Sequence, residues 1–395
     1  MGDGVRTKGI VLKKPAAVMY AATCLLWFSI YFYVPILGPY CESLGASYTS
    51  VGVILSSYGF VQLILRIPIG VWADRINKRR IFMFLGMAAS AVSGLGFFFA
   101  SKPAFFLVCR ALAGVSASTW AIYMVSYGSF FAAEQQSKSL GVIGTSMFLG
   151  QVIATFFGGI FAVFVGERWT FFISALAGAA GVLLISFLPE PQLNKKEPPK
   201  ARDFAALLKN RDLLFFSLAA VVLQISLYAG ANGFLPNVLR SLGAGNFTLG
   251  LSSTFIALPA IVTSYYSGSF FEKTVGIRTS LVASFVVISL ALTAMAFTKE
   301  TWVLLALVLI SGAPRGVLQP MLNSLAIRSV QPEVRSSAAA VFQSIYGLGM
   351  TAGPVIAGAV ADAFNMTAAL ALIGLLTLLA PAVIMFKKKW PQWVV

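Results

Sequence analysis

The chain contains no histidine, and among its 395 residues only three are cysteine and 13 are acidic. Without imidazole it lacks the most frequent metal ligand and the side chain that titrates closest to neutrality. Cys24, Cys41 and Cys109 stand singly, with no CxxC spacing and an odd total, so they read as packing residues rather than a disulfide or metal framework. HExxH, GxSxG and GxxxxGK[ST] are missing too, which removes the usual zinc, serine and phosphate-loop chemistries and any evident means of hydrolysing ATP. The sequence points away from an enzyme, and no cofactor or metal is expected.

What is abundant is apolar side chain: 58% of the residues are hydrophobic, 33 are Phe, and the mean hydropathy is +0.85. That composition belongs to a membrane protein. Crossing a bilayer takes roughly 20 apolar residues at 1.5 Å each. Runs of that length are expected at 15–37, 48–73, 80–100, 104–128, 138–164, 168–188, 213–238, 247–271, 277–298, 302–328, 335–361 and 366–386. The reading is an all-α membrane protein of twelve transmembrane helices, with 138–164 and 335–361 either tilted or beginning as short surface segments. The opening MGDGVRTKGIVLKKP is basic, but it leads into a run of ordinary span length with no small-residue cleavage pattern, so that run reads as the first span. Arg6 stands where a myristoylation signal needs Ser or Thr.

A net charge of +16 would suit nucleic acid if the basic residues shared one surface, but they do not. Of the 29 Lys and Arg, Arg66, Arg110 and Arg315 fall within runs, and Lys102, Arg168, Arg240 and Lys299 fall on one side. The other 22 fall on the side of the N-terminus. The positive-inside rule then sets both termini in the cytoplasm and removes a nucleic-acid partner.

The only long polar stretch, PEPQLNKKEPPKARDFAALLKNRD from Pro189, divides the chain into 1–188, a linker at 189–212, and 213–395. The two parts echo each other. Gly70, Asp74, Arg75, Lys78 and Arg80 of GVWADRINKRR meet Gly268, Glu272, Lys273, Gly276 and Arg278 of GSFFEKTVGIR at an offset of 198. At an offset of 199, Glu134, Gly150 and Gly159 meet Glu333, Gly349 and Gly358. The GxxxDRxxxRR form at Gly70 to Arg80 resembles the signature between helices 2 and 3 of the major facilitator superfamily. FLVCRALAG, with Arg110 and Gly114, is similar to that family's helix 4 motif. The resemblance covers the whole chain and is closest in overall pattern to prokaryotic drug-efflux members. It implies two pseudo-symmetric six-helix bundles that expose a substrate site to one side at a time.

Such a carrier needs a contact on the cytoplasmic face that holds in one state and breaks in the other. Asp74, at the end of span 2, is placed to meet the start of span 11 near Arg335 to Ser337, where unpaired N–H groups and the helix dipole favour a carboxylate. By pseudo-symmetry Glu272 would face the start of span 5 near Ser137 to Ser139. The resemblance implies the same gating role for the loop Asp, so Gly70, Asp74, Arg75, Arg79, Gly268, Glu272 and Lys273 are gating candidates. Alternatively, Arg75, Lys78, Arg79 and Arg80 only fix topology.

Every acidic residue lies in a loop, a tail or at a helix end, so embedded carboxylates for carrying protons or binding cations are missing. A coupling proton or ion would have to use a loop-edge acid such as Asp74, or transport is uncoupled. Three arginines are embedded instead. Arg66 is close enough to its helix end to snorkel. Arg110 serves hydrogen bonding or a cavity. Arg315, near the middle of span 10, is the leading candidate to meet an anion, with backbone carbonyls opened by Pro314 and Pro320 as the alternative partner. Polar candidates at mid-span are Gln62, Ser116, Gln151, Gln224, Tyr228, Asn232, Gln319, Asn323, Gln343 and Tyr346, which either bind solute or tie helices together. Trp27, Tyr31 and Val34 form an aromatic-apolar stripe on span 1, which either receives substrate or packs helices. The exporter pattern GPxxGG is absent from span 5, where Ala154 to Gly159 stand, and a cleaner version lies in span 11 at Gly353, Pro354 and Gly358. Two readings stay open: efflux of an amphipathic compound, or a carrier for a small organic anion. In both, the expected setting is a multi-pass cell membrane, the prokaryotic inner membrane, with the bilayer and a small molecule as partners and the chain acting as a monomer.

Overall fold

A computed structural model describes residues 14–132, 135–190, 205–331, 334–387 and 390, except for the side chains of 136–138 and 336. Most of the proposed linker and the first 13 residues lie outside this set.

Among the described residues the secondary structure is helical throughout. A backbone in hydrocarbon can satisfy its N–H and C=O groups only within itself, and long apolar runs do so as helices. The first run forms α1 (Lys14–Tyr31) and α2 (Val34–Ser43), broken just before Pro35. There follow α3 (Tyr48–Ile76), α4 (Arg79–Phe99), α5 (Pro103–Ser118) continued by α6 (Trp120–Gly128), α7 (Gln136–Phe164) and α8 (Glu167–Ser186). The later part gives α9 (Arg211–Ile225), a π-helical segment Ser226–Phe234, and α10 (Leu235–Ser241). Then come α11 (Asn246–Tyr266), a second π segment Ser267–Gly276, α12 (Ile277–Phe297), α13 (Thr301–Arg328), α14 (Arg335–Ala363), α15 (Met366–Thr377) and α16 (Leu379–Phe386). The first π segment contains Gly230 and Gly233 and precedes Pro236, whose ring would clash with the carbonyl four residues back in a regular helix.

Eleven of these helical runs, among the described residues, are long and apolar enough to cross a bilayer. The expected eighth and ninth spans are joined, because π-helical hydrogen bonding continues through GSFFEKTVG where a loop was expected. The run nevertheless turns back at Gly276, whose φ of 89° suits a residue without Cβ. Ser280 Oγ donates to the Phe271 carbonyl at 2.8 Å, although residues nine apart in a straight helix are about 13 Å apart.

Helices α1 to α8 pack largely among themselves, as do α9 to α16, and the two sets meet chiefly where α3 lies along α14 and α7 along α11. Small residues bring these helices close: Gly52 lies against the Pro354 backbone, Gly59 against Met350, and Gly159 against Gly250. Lys14, Ile76, Ser186, Arg211, Arg328 and Phe386 end their helices on one side, here the terminal face. Ser43, Phe99, Phe164, Ser241, Phe297 and Ala363 end theirs on the opposite face.

Candidate substrate site and gates

At mid-depth the two sets meet through tyrosines. Tyr31 of α1 places its hydroxyl 3.3 Å from that of Tyr228, in the π segment of the second set. Tyr58 of α3 stacks beside Tyr228, with ring centroids 6.1 Å apart. The first-set wall continues through Trp27, 5.9 Å from Tyr31 and edge-on to Trp120 at 5.5 Å. Trp27 Nε1 is buried without a hydrogen-bond partner in this structure. The span 1 stripe therefore reaches the junction between the sets at Tyr31, and Trp27 packs on Trp120 behind it.

The three embedded arginines take different surroundings, each without a carboxylate partner among the described residues. Arg110 donates to Tyr33 Oη at 3.1 Å and lies 4.2 Å from the centroid of Tyr58, a cation–π geometry. It thus sits behind the central tyrosines. Arg66 does not snorkel. Only 5% exposed, it crosses to α14, donating from Nη1 to Gln343 Oε1 (2.9 Å) and Tyr346 Oη (3.0 Å) while Nη2 meets Gln62 on its own helix. Neutral oxygen acceptors inside the protein are nearer than the helix end.

Arg315 stays within the second set. Its Nη1 reaches Ser226 Oγ at 3.2 Å and its Nη2 the Ser226 carbonyl at 3.3 Å. The backbone partner expected beside Pro314 and Pro320 thus comes from the neighbouring π segment. Each of the three arginines keeps a buried Nε with no partner.

The polar candidates divide similarly. Gln343 and Tyr346 belong to Arg66, and Gln224 bonds Gln319 at 3.1 Å inside the second set. The amide oxygens of Asn232 and Asn323 are buried without partners. Tyr58 and the bridging role of Arg66 were missed in the sequence. The 197-residue spacing of Tyr31 and Tyr228, close to the two repeat offsets, pairs those two tyrosines, but 198 residues beyond Tyr58 and Arg66 stand Ile256 and Ser264, so no echo marks either.

On the terminal face the charged loops engage within their own sets. Asp74 is ion-paired with Arg79, and Glu272 with Arg328, Oε1 to Nη1 at 2.5 Å. Val334 gives the start of α14 no side-chain cap. In this conformation Asp74 is thus paired within its own set rather than at that helix start. The Ser137 side chain proposed opposite Glu272 lies outside the described residues. Arg75 and Lys273 are exposed, and Gly70 and Gly268 face open space. Arg80 donates to the Leu188 carbonyl at 2.8 Å and Arg278 to the Met385 carbonyl at 2.5 Å. Both copies of the loop thus use this arginine to cap the last helix of their own set.

The opposite face is tied across the sets. Asn237 donates to Glu42 at 2.8 Å, Arg240 pairs with Glu167 at 2.6 Å, and Asp362 accepts from the backbone N–H groups of Tyr48 and Thr49 at 3.0 and 2.8 Å. The twin segments Ser43–Ala46 and Ser241–Ala244, both SLGA, turn here through Gly45 and Gly243 with φ of 85° and 83°. Their offset of 198 repeats that of the charged loops. Two clefts of about 310 and 260 Å³, lined by residues such as Val238 and Lys299 or Leu207 and Val330, lie at helix ends and touch none of the central tyrosines.

Comparison with known proteins agrees with this architecture. The chain is 26% identical over 349 residues to the multidrug resistance protein MdtG of Enterobacter lignolyticus, covering 85% of this chain and 82% of that one. It is 24% identical over 375 residues to a multidrug resistance efflux pump PmrA homolog of Lactococcus lactis, covering 92% of each. An uncharacterized MFS-type transporter of Methanocaldococcus jannaschii is 24% identical over 362 residues, 89% of this chain and 92% of that one. Among solved structures, a mutant of the nucleoside transporter NupG superposes with a TM-score of 0.80 at 16% identity, over 95% of this chain and all of the other. The human organic anion transporter MFSD10 gives 0.69 at 18%, over 94% of this chain and all of the other. The family model of the Major Facilitator Superfamily matches residues 19–237 and 216–392, and with helices packed in two sets around a shared central junction, the chain belongs to that family of multi-pass membrane transporters.

Proposed function

We propose that this transporter exports an amphipathic compound that is neutral or anionic, by alternating access, and that it needs no nucleotide. The reading places twelve spans in two bundles, 1–188 and 213–395, with the terminal face in the cytoplasm. Its observation is the group formed by Tyr31, Tyr58 and Tyr228, flanked by Arg110 and Arg66, where both bundles meet and no carboxylate of the described residues enters. Aromatic faces accept apolar rings, and guanidinium favours negative or neutral acceptors over cations. The multidrug names of relatives near 25% identity add support for efflux. Trp27, Tyr31, Tyr228, Gln343, Tyr346 and Arg110 are the substrate residues of this proposal. Arg315, Gln224, Gln319, Asn232 and Asn323 serve the packing of the second bundle. Asp74 closes the cytoplasmic face when the site turns outward.

A second reading, a carrier of small organic anions, is favoured by the three arginines without acidic partners. Thermal-shift measurements on purified protein separate the two, using neutral amphipaths, small aromatic carboxylates and lipophilic cations, each repeated with Arg110→Gln. Stabilisation by neutral amphipaths that persists in the variant supports efflux of amphipaths. Stabilisation confined to carboxylates and lost in the variant supports the anion carrier. Stabilisation by lipophilic cations alone refutes both.

A further inference from the structure

The start of α3 depends on the other bundle for its hydrogen bonds. A helix leaves its first N–H groups without intrahelical partners. Here Ser47 Oγ accepts from Ser50 at 3.2 Å, while the N–H groups of Tyr48 and Thr49 are met only across the junction, by the two carboxylate oxygens of Asp362 at the end of α14. Gly358, one turn earlier on α14, lies against the Tyr48 backbone and lets the two helices approach this closely. At the other end of the same helix pair the arrangement is inverted. Asp74 ends α3, the start of α14 has no cap from Val334, and Asp74 is turned to Arg79.

We propose that Asp362 is a gating residue, a carboxylate latch that holds the opposite face closed and releases when the bundles part there. It is the reciprocal of the contact proposed for Asp74. One helix pair then carries two latches, each joining the end of one helix to the start of the other, and in this structure the Asp362 latch is engaged. Glu42 with Asn237 and Arg240 with Glu167 reinforce the same closed face, but neither pair accepts from the backbone N–H groups of α3. The inference goes beyond the substrate reading and does not depend on which compound is carried.

The test uses full-length protein in proteoliposomes, with paired spin labels across the opposite face and a second pair across the terminal face. Asp362→Asn keeps the shape and one acceptor oxygen but removes the charge. It should raise the population open on the opposite face about fivefold, with a matching fall in the population open on the terminal face, as for a helix-terminus charge contact of ordinary strength. Asp362→Glu should restore much of the original distribution. Asn365→Ala removes a cap that acts only within the second bundle, on Ala368, and should leave the distribution unchanged while lowering thermal stability. Equal distributions in wild type and Asp362→Asn, with both proteins folded, would overturn the proposal. So would a shift of equal size in Asn365→Ala. Failure of Asp74→Asn to move the distribution would count against the cytoplasmic gate alone.

Discussion

A side chain at Gly159 should wedge the opposite face apart. Gly159 on α7 lies so close to α11 that a Cβ there would stand 2.8 Å from Gly250 Cα and 2.9 Å from the Asn246 carbonyl. Ordinary carbon contacts need about 3.5–4.0 Å, so the helices must separate by roughly 1 Å. Overpacking of this kind costs about 1–3 kcal/mol. Because the cost is borne only while the opposite face is closed, Gly159→Val should favour the state open on that face by about 5- to 150-fold. The reporter is Thr254→Cys in a chain whose three native cysteines are replaced by alanine. Thr254 is buried against Thr155, 2.9 Å away, within the same contact between α7 and α11. Labelling by a membrane-impermeant maleimide applied to the opposite face should accelerate in Gly159→Val. Gly144→Val, on the same helix but facing open space, should leave the rate unchanged. Equal labelling rates in the wild-type and Gly159→Val backgrounds would show that this helix pair does not hold the face shut.

Further expectations follow from single contacts. Ser226→Ala removes one of the two acceptors of Arg315 and should lower stability by about 1–3 kcal/mol, read as a fall in Tm, with no loss of substrate affinity if Arg315 serves packing. Arg80→Ala and Arg278→Ala should destabilise by similar amounts, about 0.3–1 kcal/mol each, because each caps the final helix of its own bundle. Asp74→Asn should slow transport and, in the same spin-label measurement, favour the state open on the terminal face. Tyr228→Phe removes one partner of the hydroxyl contact between bundles but keeps the ring, so affinity for an apolar amphipath should survive, whereas Tyr228→Ala should abolish it.

Much of this arrangement is visible in the chain itself, because a bilayer converts apolar length directly into helices and because duplication leaves paired landmarks. The loop signature and its echo located both copies of the charged turn. The echo also showed Arg80 matched by Arg278, although only the structure reveals that both cap a helix end. Which neutral oxygen a buried arginine finds was not legible. Arg66 could be counted in from its helix end, but its partners Gln343 and Tyr346 lie 277 and 280 residues away, and helix registry alone decides that they meet. The joined run Asn246–Phe297 was hidden for a related reason, since a π segment keeps its hydrogen bonds through residues that read as a polar loop.

The distribution of carboxylates bears on both proposals, the gates and the kind of compound carried. Glu42, Glu167 and Asp362 join the two bundles on the opposite face, while Asp74 and Glu272 are held within their own bundles on the terminal face. These acids are thus placed where faces close, and none is left among the described residues at mid-depth. A cation arriving there would have to be desolvated against phenol and guanidinium without a compensating charge, which is costly in a low-dielectric interior. A neutral ring escapes that penalty, and an anion has the Arg110 guanidinium beside Tyr58 to offset its own. On the proposed roles, gate chemistry and substrate selection are linked: placing the acids at the faces leaves the centre to arginine, and a carboxylate introduced at Tyr58 should admit lipophilic cations at the expense of anions. Competitive uptake of the two probe classes by Tyr58→Glu proteoliposomes would show that exchange, and unchanged selectivity in a folded, transport-competent variant would refute the link.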